Sequence, residues 1–126
     1  MRPIKFRGKS ILTDEWVYGD LINSLDKKRT AILLNDKDSC DEVVPETVGQ
    51  FSGLYDCNKK EIYEGDILKW ITGKMYVVKF WRGMFYAFVE ECNEGILGGF
   101  PLHALTECEI VGNIYDNPEY LKGDKK

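Results

Sequence analysis

The chain has 126 residues, 44% hydrophobic and 30% charged, and its 17 Lys and Arg against 21 Asp and Glu give a net charge of −4. That length buries one sizeable core but not two ordinary ones, the composition is globular rather than disordered, and the charge argues against a dominant non-specific affinity for nucleic acid. No stretch approaches the roughly 18 uncharged apolar residues of a membrane span, and Met1-Arg2-Pro3-Ile4-Lys5 lacks the apolar core of a signal peptide, so a cytoplasmic protein is expected.

In chain order, Ile4 and Phe6 alternate with Lys5 and Arg7 at the period of a half-buried strand, in a basic opening segment that has no acid. Thr13-Asp14-Glu15 is a polar turn, and Trp16-Val17-Tyr18 leads through Gly19-Asp20 into Leu21-Ile22. Residues 23–30 form a polar loop carrying Lys27-Lys28-Arg29, a cluster that reads as a solvated loop tip. Ala31 to Leu34 is a short apolar strand. Acids then dominate up to Glu46, and Glu42-Val43-Val44 is a short strand stopped by Pro45.

The stretch from Gln50 to Trp70 organises the rest. Phe51, Leu54 and Tyr55 run into Asp56-Cys57-Asn58-Lys59-Lys60, where Asp and Asn side chains bond their own backbone and reverse the chain. Glu61-Ile62-Tyr63-Glu64 then meets Gly65-Asp66, a turn in which glycine permits a positive φ and aspartate satisfies free amides, before Ile67-Leu68-Lys69-Trp70 opens a strand. Met75 to Trp81 and Met84 to Val89 are the strongest strands, rich in aromatic and β-branched residues and joined by Arg82-Gly83 as a tight hairpin. Thr72-Gly73-Lys74 supplies the preceding turn, so residues 66–89 read as a three-stranded meander. Cys92 to Gly99 is an irregular excursion, Glu107 to Val111 is the last core strand, and Asn117-Pro118-Glu119 fits an N-cap with proline at the first position of a short helix.

Several blocks carry a family likeness. Ile4-Lys5-Phe6-Arg7-Gly8, Trp16-Val17-Tyr18-Gly19, Val48-Gly49-Gln50-Phe51-Ser52-Gly53-Leu54-Tyr55-Asp56, Lys60-Glu61-Ile62-Tyr63-Glu64-Gly65-Asp66-Ile67 and Val111-Gly112-Asn113-Ile114-Tyr115-Asp116-Asn117-Pro118 resemble, in order and spacing, the YopX family of phage and prophage proteins. The likeness spans nearly the whole chain, with Ile62 to Asp66 its most specific part. It implies a β-rich fold with a compact SH3-like barrel in the later part, and it carries over no catalytic residue. One departure is Tyr55-Asp56-Cys57-Asn58, where family members often have a more basic, glycine-containing turn.

Little else points to catalysis. His103 is the single histidine, which excludes a histidine pair or a two-histidine metal site within one chain. Cys40, Cys57, Cys92 and Cys108 are scattered without a Cys-x-x-Cys pair, so a zinc ribbon or redox motif is unsupported, and buried free thiols are expected. Glu90-Glu91 and Glu61 with Glu64 could pair as acid and base, but carboxylates are common and neighbours on a strand face opposite ways. Residues 95–99 match a phosphate loop only in glycine count. We therefore expect no enzyme, no metal and no cofactor.

Charge is segregated along the chain. Residues 67–89 hold no acid, and residues 90–121 hold no Lys or Arg. Lys69, Trp70, Lys74, Tyr76, Lys79, Trp81 and Arg82 form a candidate binding surface, because basic aromatic sheets stack bases and meet phosphates. The competing reading puts many of those rings in the core and the basic strands beside acidic ones. Strand 75–81 also has apolar residues on both faces, so one core leaves a greasy face over.

The expectation is a single mainly β domain over residues 1–126, with a smaller β lobe (1–46), an SH3-like barrel (47–117) and a short helix and tail (118–126). Its expected role is that of a non-catalytic phage or prophage accessory protein working through protein contacts, including homo-oligomers and host or phage proteins. Single-stranded nucleic-acid binding on residues 67–89 is the alternative, and no membrane partner is expected.

Overall fold

The computed structural model describes residues 3–26, 28–34, 39–88, 99–104 and 107–122, with residues 121 and 122 in backbone only. The Glu90-Glu91 pair, Cys92, Lys27 and nearly all of the 95–99 glycine loop lie outside the described residues. Among those described, the protein is mainly β, and its strands form two antiparallel sheets. Two compact units divide between Gly53 and Leu54. That division falls later than 46/47 because Gly49 and Gln50 pair with Arg7 and Phe6, which ties the start of the next strand to the first unit.

In the first unit the strands run β1 (Phe6–Lys9), β2 (Trp16–Asn23), β3 (Thr30–Leu34), β4 (Cys40–Glu42) and β5 (Gly49–Tyr55), and they lie in the order β4-β3-β2-β1-β5. The β1–β2 turn is held by Ser10, whose Oγ accepts the amides of Leu12 (3.2 Å) and Thr13 (3.3 Å). Ile32, Val43 and Phe51 are buried. Gly8 is needed because a Cβ there would lie 2.9 Å from a Val43 methyl carbon. The strand expected at residues 42–44 falls at 40–42, and Val43 makes only an isolated bridge to Ser10. A 3₁₀ turn at Pro45–Thr47 follows; the Thr47 hydroxyl donates to Val44 O (2.6 Å) and accepts Lys9 N–H (2.9 Å).

The second unit begins inside β5, which leads through the 56–60 turn into β6 (Glu61–Tyr63). It continues with β7 (Asp66–Lys69), β8 (Met75–Trp81), β9 (Met84–Phe88), β10 (Gly99–Pro101) and β11 (Glu109–Asn113), and closes with one helical turn, α1 (Glu119–Lys122). The predicted meander is present: β7 pairs with β8, and β8 with β9 from Val77↔Phe88 to Trp81↔Met84. Arg82 and Gly83 both have positive φ (51° and 86°), the two-residue turn that matches strand twist in a hairpin. The sheet order is β10-β9-β8-β7-β11. Its edges are β10 and β11, so the expected closed barrel is not formed among the described residues. Three-residue β10 reaches only as far as Pro101, and proline donates nothing to a further strand.

Successive residues of β8 point to opposite faces. One face carries Tyr76 and Val78, which join Ile62, Leu68, Ala87, Leu102 and Cys108 in the unit's main cluster; Leu54, Trp70, Phe85 and Ile110 pack around it. The block Ile62 to Asp66 explains itself in this setting. Gly65 at φ 93° lets Asp66 Oδ2 accept the Tyr63 amide (2.8 Å), while Gly65 donates to Val78 O (2.8 Å) and accepts from Ile114 N (2.9 Å). A single tight turn thus fastens β8 and the end of β11, and Tyr63 and Asp66 are both buried.

Candidate functional site

The seven residues 69–82 singled out from the sequence sit at two ends of β8, a seven-residue strand about 20 Å long, and on both of its faces. At the first end are Lys69, Trp70, Lys74 and Tyr76. Tyr76 is core, 3% exposed, and half-buried Trp70 meets it edge-on with centroids 6.3 Å apart. Lys69 is exposed, but its register partner across the ladder is Glu109. At this one position a lysine of the basic segment faces a glutamate of the acidic one, and opposite charges in facing positions attract across the ladder and dilute a phosphate-binding field there.

At the other end Lys79, Trp81 and Arg82 gather around an aromatic cluster. Trp81 meets Tyr86 (5.1 Å) and Phe88 (5.7 Å) edge-on, and Tyr86 stacks on Phe88 (5.6 Å). The Arg82 guanidinium lies over Trp81 at 4.9 Å and the Lys79 ammonium over Phe88 at 5.8 Å. These cation–ring contacts hold long side chains against the sheet; Arg82 occupies a face of Trp81 that a base would otherwise stack upon, and Phe88, 2% exposed, offers none.

The opposite face of the same hairpin end is apolar. Phe80 pairs with Phe85 across the strands, their rings edge-to-face at 5.0 Å; on the same face but towards the first end, Phe100 on β10 lies 6.0 Å from Tyr76. Phe80 remains 52% exposed and Phe100 44%, while Phe85 is half-buried. Phe100 was not legible as surface from the sequence, because its partner Ala87 is brought to it only by the β9–β10 pairing. Tyr76, expected in the candidate binding surface, is instead core: alternation puts it on one face with Val78, but buried Val77 lies on the other, so the pattern does not mark which face packs inward.

The remaining candidates lie elsewhere in the fold. Tyr63 Oη donates to Glu61 Oε1 (2.9 Å). His103 is exposed in the 3₁₀ turn Leu102–Ala104. Cys108 is buried as expected, but Cys40 and Cys57 are exposed. Among the described residues no group of three or more His, Cys, Asp and Glu is arranged to hold a metal ion, and no helix is long and apolar enough to cross a membrane.

No curated protein matches the chain. Among solved structures it is similar to the crystal structure of protein EF1440 from Enterococcus faecalis, with a TM-score of 0.58 at 20% identity, covering 96% of this chain and 99% of that one. At that identity the likeness is one of fold. The family model described as "YopX protein" matches residues 5–122, nearly the whole length over which the sequence blocks recur, and the chain belongs to the YopX family.

Proposed function

We propose that this is a non-catalytic accessory protein of phage or prophage type that acts through protein contacts, a second copy of itself among them. The observation that supports the reading is the exposure of two aromatic rings on one face of this sheet, Phe80, which packs on Phe85, and Phe100, which packs on Tyr76. At about 200 Å² per ring, exposures of 52% and 44% leave roughly 200 Å² of Phe80 and Phe100 in water. Burying it would contribute about 5 kcal/mol. A stable interface needs about 800 Å² per partner, so these two rings are anchors within a contact rather than the whole of it. A second copy complements the rest, since beyond the facing Lys69 and Glu109 each chain carries basic residues, Lys74, Lys79 and Arg82, and acidic ones, Glu107, Asp116 and Glu119. We further read the second unit as an open relative of the SH3-like barrel: a four-strand meander, a 3₁₀ turn and a last strand returning to the first have that order.

Sedimentation of the full chain from about 1 µM to about 200 µM tests the reading. The wild type should show a concentration-dependent shift to a dimer, and Phe80→Glu, at an exposed position that leaves the fold intact, should abolish it. A wild type that stays monomeric across the range would overturn self-association. Titration of oligo(dT) at about 50 mM salt addresses the nucleic-acid alternative. Tryptophan quenching that weakens with salt and vanishes in Lys79→Glu with Arg82→Glu would replace the protein-contact reading; an unchanged spectrum supports it.

A further inference from the structure

Cys57 and Cys108, 51 positions apart in the sequence, are neighbours in the second unit. The Cys57 amide donates to the Cys108 carbonyl at 2.9 Å. Standard bond lengths then bring their Cα atoms to about 5–6 Å, inside the range that a disulfide spans. The approach is fixed from beside it: Asp56 Oδ2 accepts Ile110 N–H at 3.0 Å, and Asp56 Oδ1 accepts the amides of Asn58 and Lys60, both at 2.8 Å. Both cysteines line one cleft of about 250 Å³, together with Leu54, Ile62, Leu102 and His103. Cys57 is exposed and Cys108 is 3% exposed. One thiol is open to a bulky reagent and the other shielded from it, the arrangement of an attacking and a resolving cysteine.

We propose that Cys57 and Cys108 form a redox modification site, oxidised by a low-molecular-weight disulfide to an intramolecular disulfide across this cleft. Cys57 gives its proton to solvent, and its thiolate attacks one sulfur of the oxidant, forming a mixed disulfide and releasing one small thiolate. Cys108 then loses its proton and attacks Cys57 Sγ, displacing the second small thiolate. Two protein thiols are oxidised by two electrons, and one small disulfide is reduced to two thiols once the leaving groups take up the two protons. Burial, with the Asp56 and Cys57 charges adding to it, pushes the Cys108 thiol above its ordinary value, so Cys57 reacts first. The bond ties the 56–60 turn covalently to the chain just before β11 and narrows the cleft.

The test treats the full chain with glutathione disulfide, blocks the remaining thiols by alkylation and maps the peptides. The expected product is a 57–108 cross-linked peptide, about 2 Da below the sum of its parts, with no glutathione retained. Cys108→Ala should trap a lasting glutathione adduct on Cys57. Cys57→Ser, a surface substitution that leaves the core intact, should keep Cys108 as a thiol throughout. A stable adduct on wild-type Cys57 with Cys108 still alkylatable, or a link from Cys57 to Cys40, to Cys92 or to a second chain, would overturn the proposal.

Discussion

Replacing Asp56 by alanine removes the acceptor of three main-chain amides, those of Asn58 and Lys60 within the turn and of Ile110 on β11. Asp56 is only 6% exposed, and the Ile110 contact reaches across 54 positions of sequence. A hydrogen bond to a charged acceptor contributes about 1.5–3 kcal/mol, and an abandoned buried donor costs about 1–3 kcal/mol. Water can recover the two turn amides in part, but it reaches Ile110 poorly. The sum for Asp56→Ala is therefore about 3–5 kcal/mol, a large fraction of the 5–15 kcal/mol typical of a domain. Asp56→Asn keeps one carbonyl oxygen but turns an amide NH₂ towards a donor, for a loss of about 2 kcal/mol. Urea unfolding followed by tryptophan fluorescence and circular dichroism should show lower midpoints with unchanged slopes, in the order wild type, Asn, Ala. Amide exchange at Ile110 and Lys60 should accelerate ahead of that at the buried β8 residues Val77 and Val78. If Asp56→Ala loses less than about 1 kcal/mol while Ile110 stays protected, the carboxylate is not what fastens the turn to β11, and the reasoning fails.

Two more outcomes follow from the packing and the ionisable core. A Cβ on Gly19 would lie 1.8 Å from the Leu33 carbonyl oxygen, so Gly19→Ala should cost more than about 4 kcal/mol or yield insoluble protein, whereas a Cβ on Gly83 would meet nothing within 4 Å and Gly83→Ala should cost only about 1 kcal/mol of backbone strain. Burial raises Tyr76 above its ordinary 10.0 and Cys108 above its ordinary 9.0, so the folded chain keeps protons that the unfolded chain releases. The stability from both groups is complete below about pH 9 and is lost as pH rises through the folded values. Urea midpoints should fall above that pH, and Tyr76→Phe should flatten the part of the decline that begins near pH 10; a flat profile up to about pH 11 in the wild type would refute the linkage.

The sequence by itself determined the local structure. Alternation in Tyr76-Val77-Val78-Lys79, the Arg82-Gly83 turn and the Gly65-Asp66 device need only backbone sterics and a period of two, and the β7–β8–β9 meander follows from their order. The basic and acidic segments were legible for the same reason, as runs in the chain. Only the tertiary structure decided what depends on contacts distant in sequence. The pairing of β11 with β7 set Glu109 against Lys69, the pairing of β5 with β1 moved the unit boundary to Gly53, and the edge positions of β10 and β11 left the sheet open. It alone put Tyr76 in the core while leaving Phe80 and Phe100 in water, and it alone brought Cys57 beside Cys108. The physical reason is that a strand's pattern marks which residues share a face, but it does not specify which distant strand pairs with its edge or packs on that face.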